Sequence, residues 1–265
     1  MNISSVKQPI GLREAVQAIK DICNDAPAYA YGRIRIRPVI LRLDKGNGQT
    51  TFVRYVADML NTYKIRRFGV INHYLEYVVD GTTEQLQDMF SSISSPYTNY
   101  YEGVVAIDIT ALGRVVSEKQ MRIFLREIQK VAQHAMVILF LSPNEARNGG
   151  ELDLLEKKVV EAFGGHESIQ VLHASPYTCE EYAEMVMRSI DDRGVAIDDN
   201  GHFVNAVEAI IDTQKPKTAR DAESLAEKIV KHADYTHFVA TIDTDRLRTA
   251  FPDAFPVERG CHNAK

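Results

Sequence analysis

The 265-residue sequence predicts an α/β protein, with a parallel β-sheet domain followed by a small all-helical domain. A short apolar run, Val39 to Leu43, leads into a glycine turn and then into a helical pattern. Further apolar strands alternate with helical segments as far as Leu172, which is typical of a parallel sheet covered on both faces. From Thr178 onward the pattern is helical. We therefore predict a core domain at 1–174, a helical lid domain at 175–251 and a disordered tail at 252–265.

The composition is that of an ordinary globular protein, with 45% hydrophobic and 25% charged residues. The net charge of −5 argues against a broad basic surface for nucleic acid or anionic membrane. No apolar run approaches the roughly 18 residues of a membrane span, and no signal-peptide pattern opens the chain. The three cysteines, Cys23, Cys179 and Cys261, show no metal-binding spacing and indicate a reducing compartment. We expect a cytoplasmic protein.

The elements of the first domain are predicted in chain order from their apolar spacing. The predicted helices cover 11–23, the segment from residue 50, 82–92, 117–135 and 151–163. The predicted strands after the first are Arg67–Asn72, Gly103–Asp108, Met136–Leu141 and Ser168–Leu172. The apolar run at 103–108 predicts a buried parallel strand, and it ends in a carboxylate.

In the second domain, Thr178 with Glu181 and Thr218 with Asp221 have the spacing of capping boxes that begin helices. A third helix is predicted at 200–212.

The glycine turn has the pattern of a phosphate-binding loop in its second half only. The motif G-x-x-x-x-G-K-[ST] is met at Gly48 and Thr50, but Leu43 stands in place of the first glycine and Gln49 in place of the lysine. A turn between a strand and a helix directs backbone N–H groups and the positive helix end toward one point. The pattern therefore predicts a phosphate loop that lacks its main cation.

Several landmarks follow one another in an order that resembles the AAA+ ATPase superfamily, nearest its red-type Rubisco-activase-like branch. The landmarks are Gly11-Leu12 before a helix, Gly46 to Thr51 as Walker A, Glu76-Tyr77-Val78 as the first pore loop, Val105 to Asp108 as Walker B, Asn144 as sensor 1, and Thr218-Ala219-Arg220 as sensor 2. The resemblance covers about residues 10 to 250. It implies a parallel-sheet P-loop core and a small helical lid.

The resemblance also implies a site for ATP or ADP with Mg²⁺. The residues that it assigns to nucleotide are Lys45, Gly46, Asn47, Gly48, Gln49, Thr50, Thr51, Asp108, Asn144 and Arg220. Thr50 and Asp108 would hold the metal, and Tyr77 and Val78 would grip a threaded protein client.

Three departures from the family pattern concern catalysis. Gln49 replaces the lysine that neutralises the β- and γ-phosphates. Ile109 follows Asp108 where the family has a glutamate, and an aliphatic side chain cannot act as a base. Ala162 stands at the position of the arginine finger.

Some assignments leave two interpretations open. Lys45 either reaches a phosphate from within the turn or is a solvated loop lysine. Asp108 either binds Mg²⁺ or simply ends a strand, and Asn144 either senses phosphate or satisfies a loop. Arg220 is either a nucleotide contact or a surface residue. Tyr77 either grips a client or lies at the sheet edge.

These observations favour a non-catalytic pseudo-ATPase that binds ATP or ADP weakly or not at all. It would act as a structural or regulatory subunit, together with AAA+ paralogues or with copies of itself in a ring. One alternative is a slow ATPase that remodels proteins. Another is a subunit that resembles clamp loaders or helicase loaders, for which the acidic balance gives no support.

Overall fold

The structure is a computed structural model, and it describes residues 7–25, 36–63, 74–78, 103–112, 118–133, 135–197, 202–236 and 239–255. The chain divides into two compact units, Met1–Ser175 and Pro176–Lys265. The predicted boundary was placed after residue 174.

The first unit is built on a five-stranded sheet in the order β2-β3-β4-β1-β5, and every pairing is parallel. The strands are β1 (Val39–Arg42), β2 (Tyr74–Val78), β3 (Val104–Asp108), β4 (Met136–Leu141) and β5 (Gln170–His173). The parallel sheet predicted from the sequence is confirmed. The predicted strand at Arg67–Asn72 and the predicted helix at 82–92 lie outside the described residues.

The described part of this unit contains the helices α1 (Arg13–Asn24), α2 (Gln49–Thr62), α3 (Glu118–Val131) and α4 (Gly149–Ala162). They lie on both faces of the sheet, because successive strand side chains point to opposite sides. Val39 and Leu41 pack in one apolar cluster with α1 and α2. Ile40 and Ile107 pack in a second cluster with α3 and α4. The two clusters cover the sheet from both sides, as the alternation of strands and helices predicted.

The carboxyl ends of the parallel strands meet at one edge of this sheet. Arg42 at the end of β1 is in register with Leu141 at the end of β4 and with His173 at the end of β5. Asp108 at the end of β3 is in register with Phe140. The segments that follow β1, β3 and β4 therefore begin side by side, and this edge is where parallel sheets place their ligand sites.

The second unit contains α5 (Cys179–Asp192), α6 (Phe203–Gln214), α7 (Ala219–Val230) and α8 (Thr244–Ala250). The capping boxes predicted at Thr178 and Thr218 are both present. The prediction of an all-helical domain is wrong, because β6 (Val195–Ile197), β7 (Asp234–Thr236) and β8 (Val239–Ile242) form a sheet in the order β6-β8-β7. Each of these short strands lies within a few residues of a helix, so the helical pattern beside it determined the prediction.

The predicted disordered tail is wrong at its start. Pro252–Ala254 form a turn of 3₁₀-helix, and Ala254 and Phe255 pack half-buried against the core of the second unit. The remainder of the predicted tail, 256–265, lies outside the described residues.

In the part of the chain that the structure describes, no helix combines the length and the apolar character that crossing a lipid bilayer requires.

The capping box of α7 offers a direct test of the second unit. The Thr218 hydroxyl accepts from the Asp221 N–H at 3.2 Å, and the Asp221 carboxylate accepts from the Thr218 N–H at 2.9 Å. Thr218→Ala removes one cap and is expected to lower the free energy of unfolding by about 1 kcal/mol, measured by urea denaturation. Thr213→Ala is the control, since that hydroxyl bonds only the Ala209 carbonyl within α6. Equal losses in both variants would contradict the capping role.

Candidate functional site

The glycine turn after β1 has backbone angles that favour glycine at two positions. Gly46 and Gly48 have φ angles of +94° and +86°, in the left-handed region that side chains other than glycine rarely adopt. The Asn47 N–H donates to the Asp44 carbonyl at 3.0 Å, and the Phe52 N–H donates to the Gly48 carbonyl at 2.8 Å. The turn thus leads directly into α2, whose first N–H groups begin at the carboxyl edge of the sheet. This is the backbone arrangement of a phosphate-binding loop.

Gln49, at the position of the missing lysine, points into the protein. Its side chain is only 8% exposed. The side-chain Nε2 donates to the Leu43 carbonyl at 3.2 Å and to Ser142 Oγ at 2.9 Å. An amide has two N–H donors, and both are engaged by protein acceptors.

Asp108, at the end of β3, is also enclosed, with 3% of its surface exposed. Its Oδ2 accepts from the Ser142 hydroxyl at 3.2 Å. Its Oδ1 accepts from the Thr110 N–H at 3.0 Å and from the Thr110 hydroxyl at 2.7 Å. The Ser142 N–H in turn donates to Thr110 Oγ1 at 2.8 Å. Gln49, Ser142, Asp108 and Thr110 therefore form one continuous network, which we call the Ser142 bridge.

Ser142 was not singled out from the sequence, although it lies at the centre of the site and is fully buried. The available signal was its position: a hydroxyl residue directly after β4, beside the strand that ends in Asp108. A rule that examined every polar residue following a buried parallel strand would have found it.

Asn144 holds the glycine turn in place. Its Oδ1 accepts from the Lys45 N–H at 3.0 Å, and its Nδ2 donates to the Lys45 carbonyl at 3.1 Å. Its own N–H donates to Asp44 Oδ1 at 2.8 Å. Of the two interpretations left open for Asn144, this geometry corresponds to a residue that satisfies a loop.

The ammonium of Lys45, within the glycine turn, lies beside a carboxylate. Its Nζ lies 2.9 Å from Glu145 Oε1, and the two side chains are 43% and 39% exposed. An ion pair this exposed is worth less than about 1 kcal/mol, so an incoming anion can compete for the lysine.

Two other positions assigned to catalysis carry no polar side-chain atom. Ile109 is completely buried in the cluster that faces α3 and α4, and its N–H donates to the Phe140 carbonyl at 3.0 Å. Ala162 is the exposed last residue of α4. Neither side chain can accept a proton or stabilise a negative charge.

Arg42 forms ion pairs with two carboxylates of α4. Its guanidinium bonds Glu156 at 2.6 Å and Asp153 at 2.7 Å, and His173 Nε2 lies 3.3 Å from the same Glu156 oxygen. Burial opposes the charge of Arg42, but the hydrogen bonds from Asp153 and Glu156 outweigh it and raise the pKa of Arg42. This arginine precedes the glycine turn, yet its charge is already matched by carboxylates.

The remaining predicted residues are distributed over the two units. Thr50 and Thr51 are in the first turn of α2. Arg220 belongs to the second unit, where it is the exposed second residue of α7. Tyr77 and Val78 are within β2, an edge strand, where they pair in parallel with Ile107 and Asp108. Of the two interpretations left open for Tyr77, this backbone position corresponds to a residue at the edge of the described sheet.

The described side chains do not fit a magnesium ion at Asp108. Mg²⁺ requires near-octahedral oxygen ligands and keeps several water molecules. The Asp108 carboxylate accepts three hydrogen bonds from protein groups and is nearly inaccessible. Among the described residues, no group of three or more His, Cys, Asp or Glu side chains is placed to hold a metal.

No protein-family model matches the sequence, and a search of curated proteins found no significant match. Solved structures do match. The RuvB Holliday junction branch migration motor of Thermotoga maritima is 16% identical with a TM-score of 0.55, over 92% of this chain and 70% of that chain. C. elegans PCH-2 is 13% identical with a TM-score of 0.55, over 91% and 68%. The FIGL-1 AAA domain, solved in complex with ADP, is 17% identical with a TM-score of 0.58, over 97% and 86%.

These similarities show that the chain has the fold of AAA+ ATPases. The predicted resemblance is confirmed at that level, and the assignment to the red-type Rubisco-activase-like branch stays a prediction.

The Asn144 contacts predict a measurable change in the glycine turn. Asn144→Ala removes both side-chain hydrogen bonds to Lys45 and is expected to speed hydrogen exchange of the Lys45 N–H by about fivefold, since one net hydrogen bond is worth about 1 kcal/mol. The measurement is amide exchange by NMR. Asn148→Ala is the control: it removes the cap of α4 without touching the turn. An unchanged exchange rate of the Lys45 N–H in Asn144→Ala would show that the turn keeps its conformation without the Asn144 side chain.

Proposed function

We propose that this chain is a non-catalytic AAA+ module, a pseudo-ATPase that binds ATP or ADP weakly or not at all. It would serve as a structural or regulatory subunit of an assembly. The observation that carries this proposal is the state of Gln49, whose two amide donors are engaged by Leu43 and Ser142.

The chemistry of phosphoryl transfer supports the proposal. Catalysis of this reaction consists almost entirely of positioning and of neutralising charge on the transferred phosphoryl group. Gln49 carries no charge, and loss of a charge-assisted hydrogen bond costs roughly 1.5–3 kcal/mol. The substitution therefore weakens nucleotide binding and transition-state stabilisation together.

Ile109 and Ala162 also argue against hydrolysis. Ile109 cannot polarise an attacking water, and its side chain is packed in the core. Ala162 cannot replace an arginine finger, which contributes about 10³–10⁵ in rate where it is present. Each loss alone would make turnover slow, and the three losses concern independent parts of the mechanism.

The backbone of the phosphate loop is nevertheless retained. The turn at Gly46 and Gly48 and the N-terminus of α2 can still hold phosphate through N–H groups. Lys45 can exchange Glu145 for an anion, because their ion pair is exposed. Weak nucleotide binding is therefore compatible with this geometry, and Thr51 and Asn47 are the further residues we assign to it. A nucleotide contact by Arg220 stays a prediction.

The partners we propose are AAA+ paralogues, or copies of this chain, in a ring. Sites in this superfamily lie between subunits, so a subunit without its own lysine can complete a neighbour's site. We place the protein in the cytoplasm. A protein client that contacts Tyr77 or Val78 stays a prediction.

The runner-up is a slow ATP-dependent protein-remodelling ATPase. The position of Lys45 favours it, since its ammonium is the cation that the described loop residues 43–48 supply near a phosphate.

Hydrolysis distinguishes the two functions. We expect the purified chain to release no phosphate from Mg²⁺·ATP above the enzyme-free background, because no described residue at the three catalytic positions supplies a cation or a base. The measurement is phosphate release over hours. Lys45→Ala is the matched variant. Turnover in the native chain that disappears in Lys45→Ala would establish the slow ATPase instead.

Assembly is tested separately. Sedimentation velocity of the chain alone, and mixed with active AAA+ proteins encoded by the same genome, is expected to show a ring-sized complex in one of the two cases. A monomer in every mixture would contradict the proposed role as a subunit.

A further inference from the structure

We infer that the Ser142 bridge excludes Mg²⁺ from this site, so that any nucleotide held by the glycine turn binds without metal. Ser142 and Thr110, whose hydroxyls both donate to Asp108, determine this selectivity. The inference rests on the proposed function, in which the glycine turn is the nucleotide site.

The carboxylate that would face a metal is fully engaged within the protein. Asp108 Oδ1 accepts two hydrogen bonds from Thr110, and Oδ2 accepts one from Ser142. With 3% of the residue exposed, a hydrated cation cannot reach either oxygen without displacing a donor. Mg²⁺ gives up its water ligands reluctantly, so it does not compete for an enclosed carboxylate.

Ser142 connects Gln49, at the position of the lysine, with Asp108, at the position of the metal ligand. Its Oγ accepts from Gln49 Nε2 at 2.9 Å and donates to Asp108 Oδ2 at 3.2 Å. A hydroxyl can accept and donate at once, and this one does both. A single side chain therefore satisfies the neutral amide in the position of the lysine and the carboxylate in the position of the metal ligand.

The bridge also supplies hydrogen-bond donors to the buried carboxylate. A buried polar group without hydrogen-bond partners is costly. In this chain the Thr110 and Ser142 hydroxyls and the Thr110 N–H provide those bonds. The buried Asp108 carboxylate therefore has hydrogen-bond donors in the folded protein without a metal or a lysine.

Removing the Ser142 hydroxyl tests the inference. In Ser142→Ala, Asp108 Oδ2 loses its donor and Gln49 Nε2 loses one acceptor. We expect the thermal midpoint to fall by about 3–8 °C, from buried polar groups left without partners. We further expect Mg²⁺·ADP, but not ADP with EDTA, to recover about 3 °C or more of that loss.

The experiment uses the full chain, and its readouts are thermal unfolding and calorimetric titration with ADP in excess Mg²⁺ or in EDTA. In the native chain, we expect Mg²⁺ to change neither the midpoint with ADP nor the heat of binding. Asn148→Ala is the control, since it destabilises the same unit through the cap of α4 and is expected to show no response to Mg²⁺.

Each result decides the inference. A higher midpoint or a tighter affinity for ADP with Mg²⁺ in the native chain overturns it. A Ser142→Ala variant that is destabilised but gains no response to Mg²⁺ assigns Ser142 a structural role only. If Ser142→Ala does not fold, Thr110→Val removes the other hydroxyl from Asp108 and is expected to gain the same response. Phosphate release by the native chain would instead contradict the proposed function, so the two failures are distinguishable.

Discussion

The site depends on one constraint, which is that a carboxylate buried at the end of an apolar strand must have hydrogen-bond donors. Asp108 ends β3 in the middle of the sheet and is almost completely enclosed. Its donors come from Thr110 on its own chain segment and from Ser142 on the neighbouring one. Because Ser142 is used in this way, its oxygen is positioned to accept from Gln49, and the start of α2 is connected to both strands.

The need of Asp108 for hydrogen-bond donors also relates the departures from the family pattern to one another. In a phosphate loop with a lysine, the ammonium and the metal provide positive charge near the carboxylate. Removing one partner of a buried charge pair is strongly destabilising when nothing replaces it. Here the Thr110 N–H and the Thr110 and Ser142 hydroxyls donate to Asp108, and the Gln49 amide donates to Ser142. Gln49 is therefore one part of a network in which uncharged donors satisfy the Asp108 carboxylate.

Much of the first unit could be predicted from the sequence, because five apolar strands alternate with amphipathic helices and the glycine turn is a local feature. For Tyr77 the sequence left a client-gripping residue and a sheet-edge residue open, because the choice depends on pairing with β3. The strands β6, β7 and β8 were missed because each lies within a few residues of a helix. At the site, the structure places the predicted loop residues, Asp108 and Asn144 at the same edge of the sheet. Ser142 was not, because its role depends on two strands that are far apart in sequence being neighbours in the sheet.

The paired bonds between Asn144 and Lys45 have a consequence for the connection of the loop to the chain that follows β4. They join the glycine turn to the 3₁₀ turn at Pro143–Glu145, beyond the last paired residues of β1 and β4. The 3₁₀ turn is followed within a few residues by Asn148, the cap of α4. The turn that would meet an anion is therefore held by the connection between β4 and α4 as well as by its own backbone.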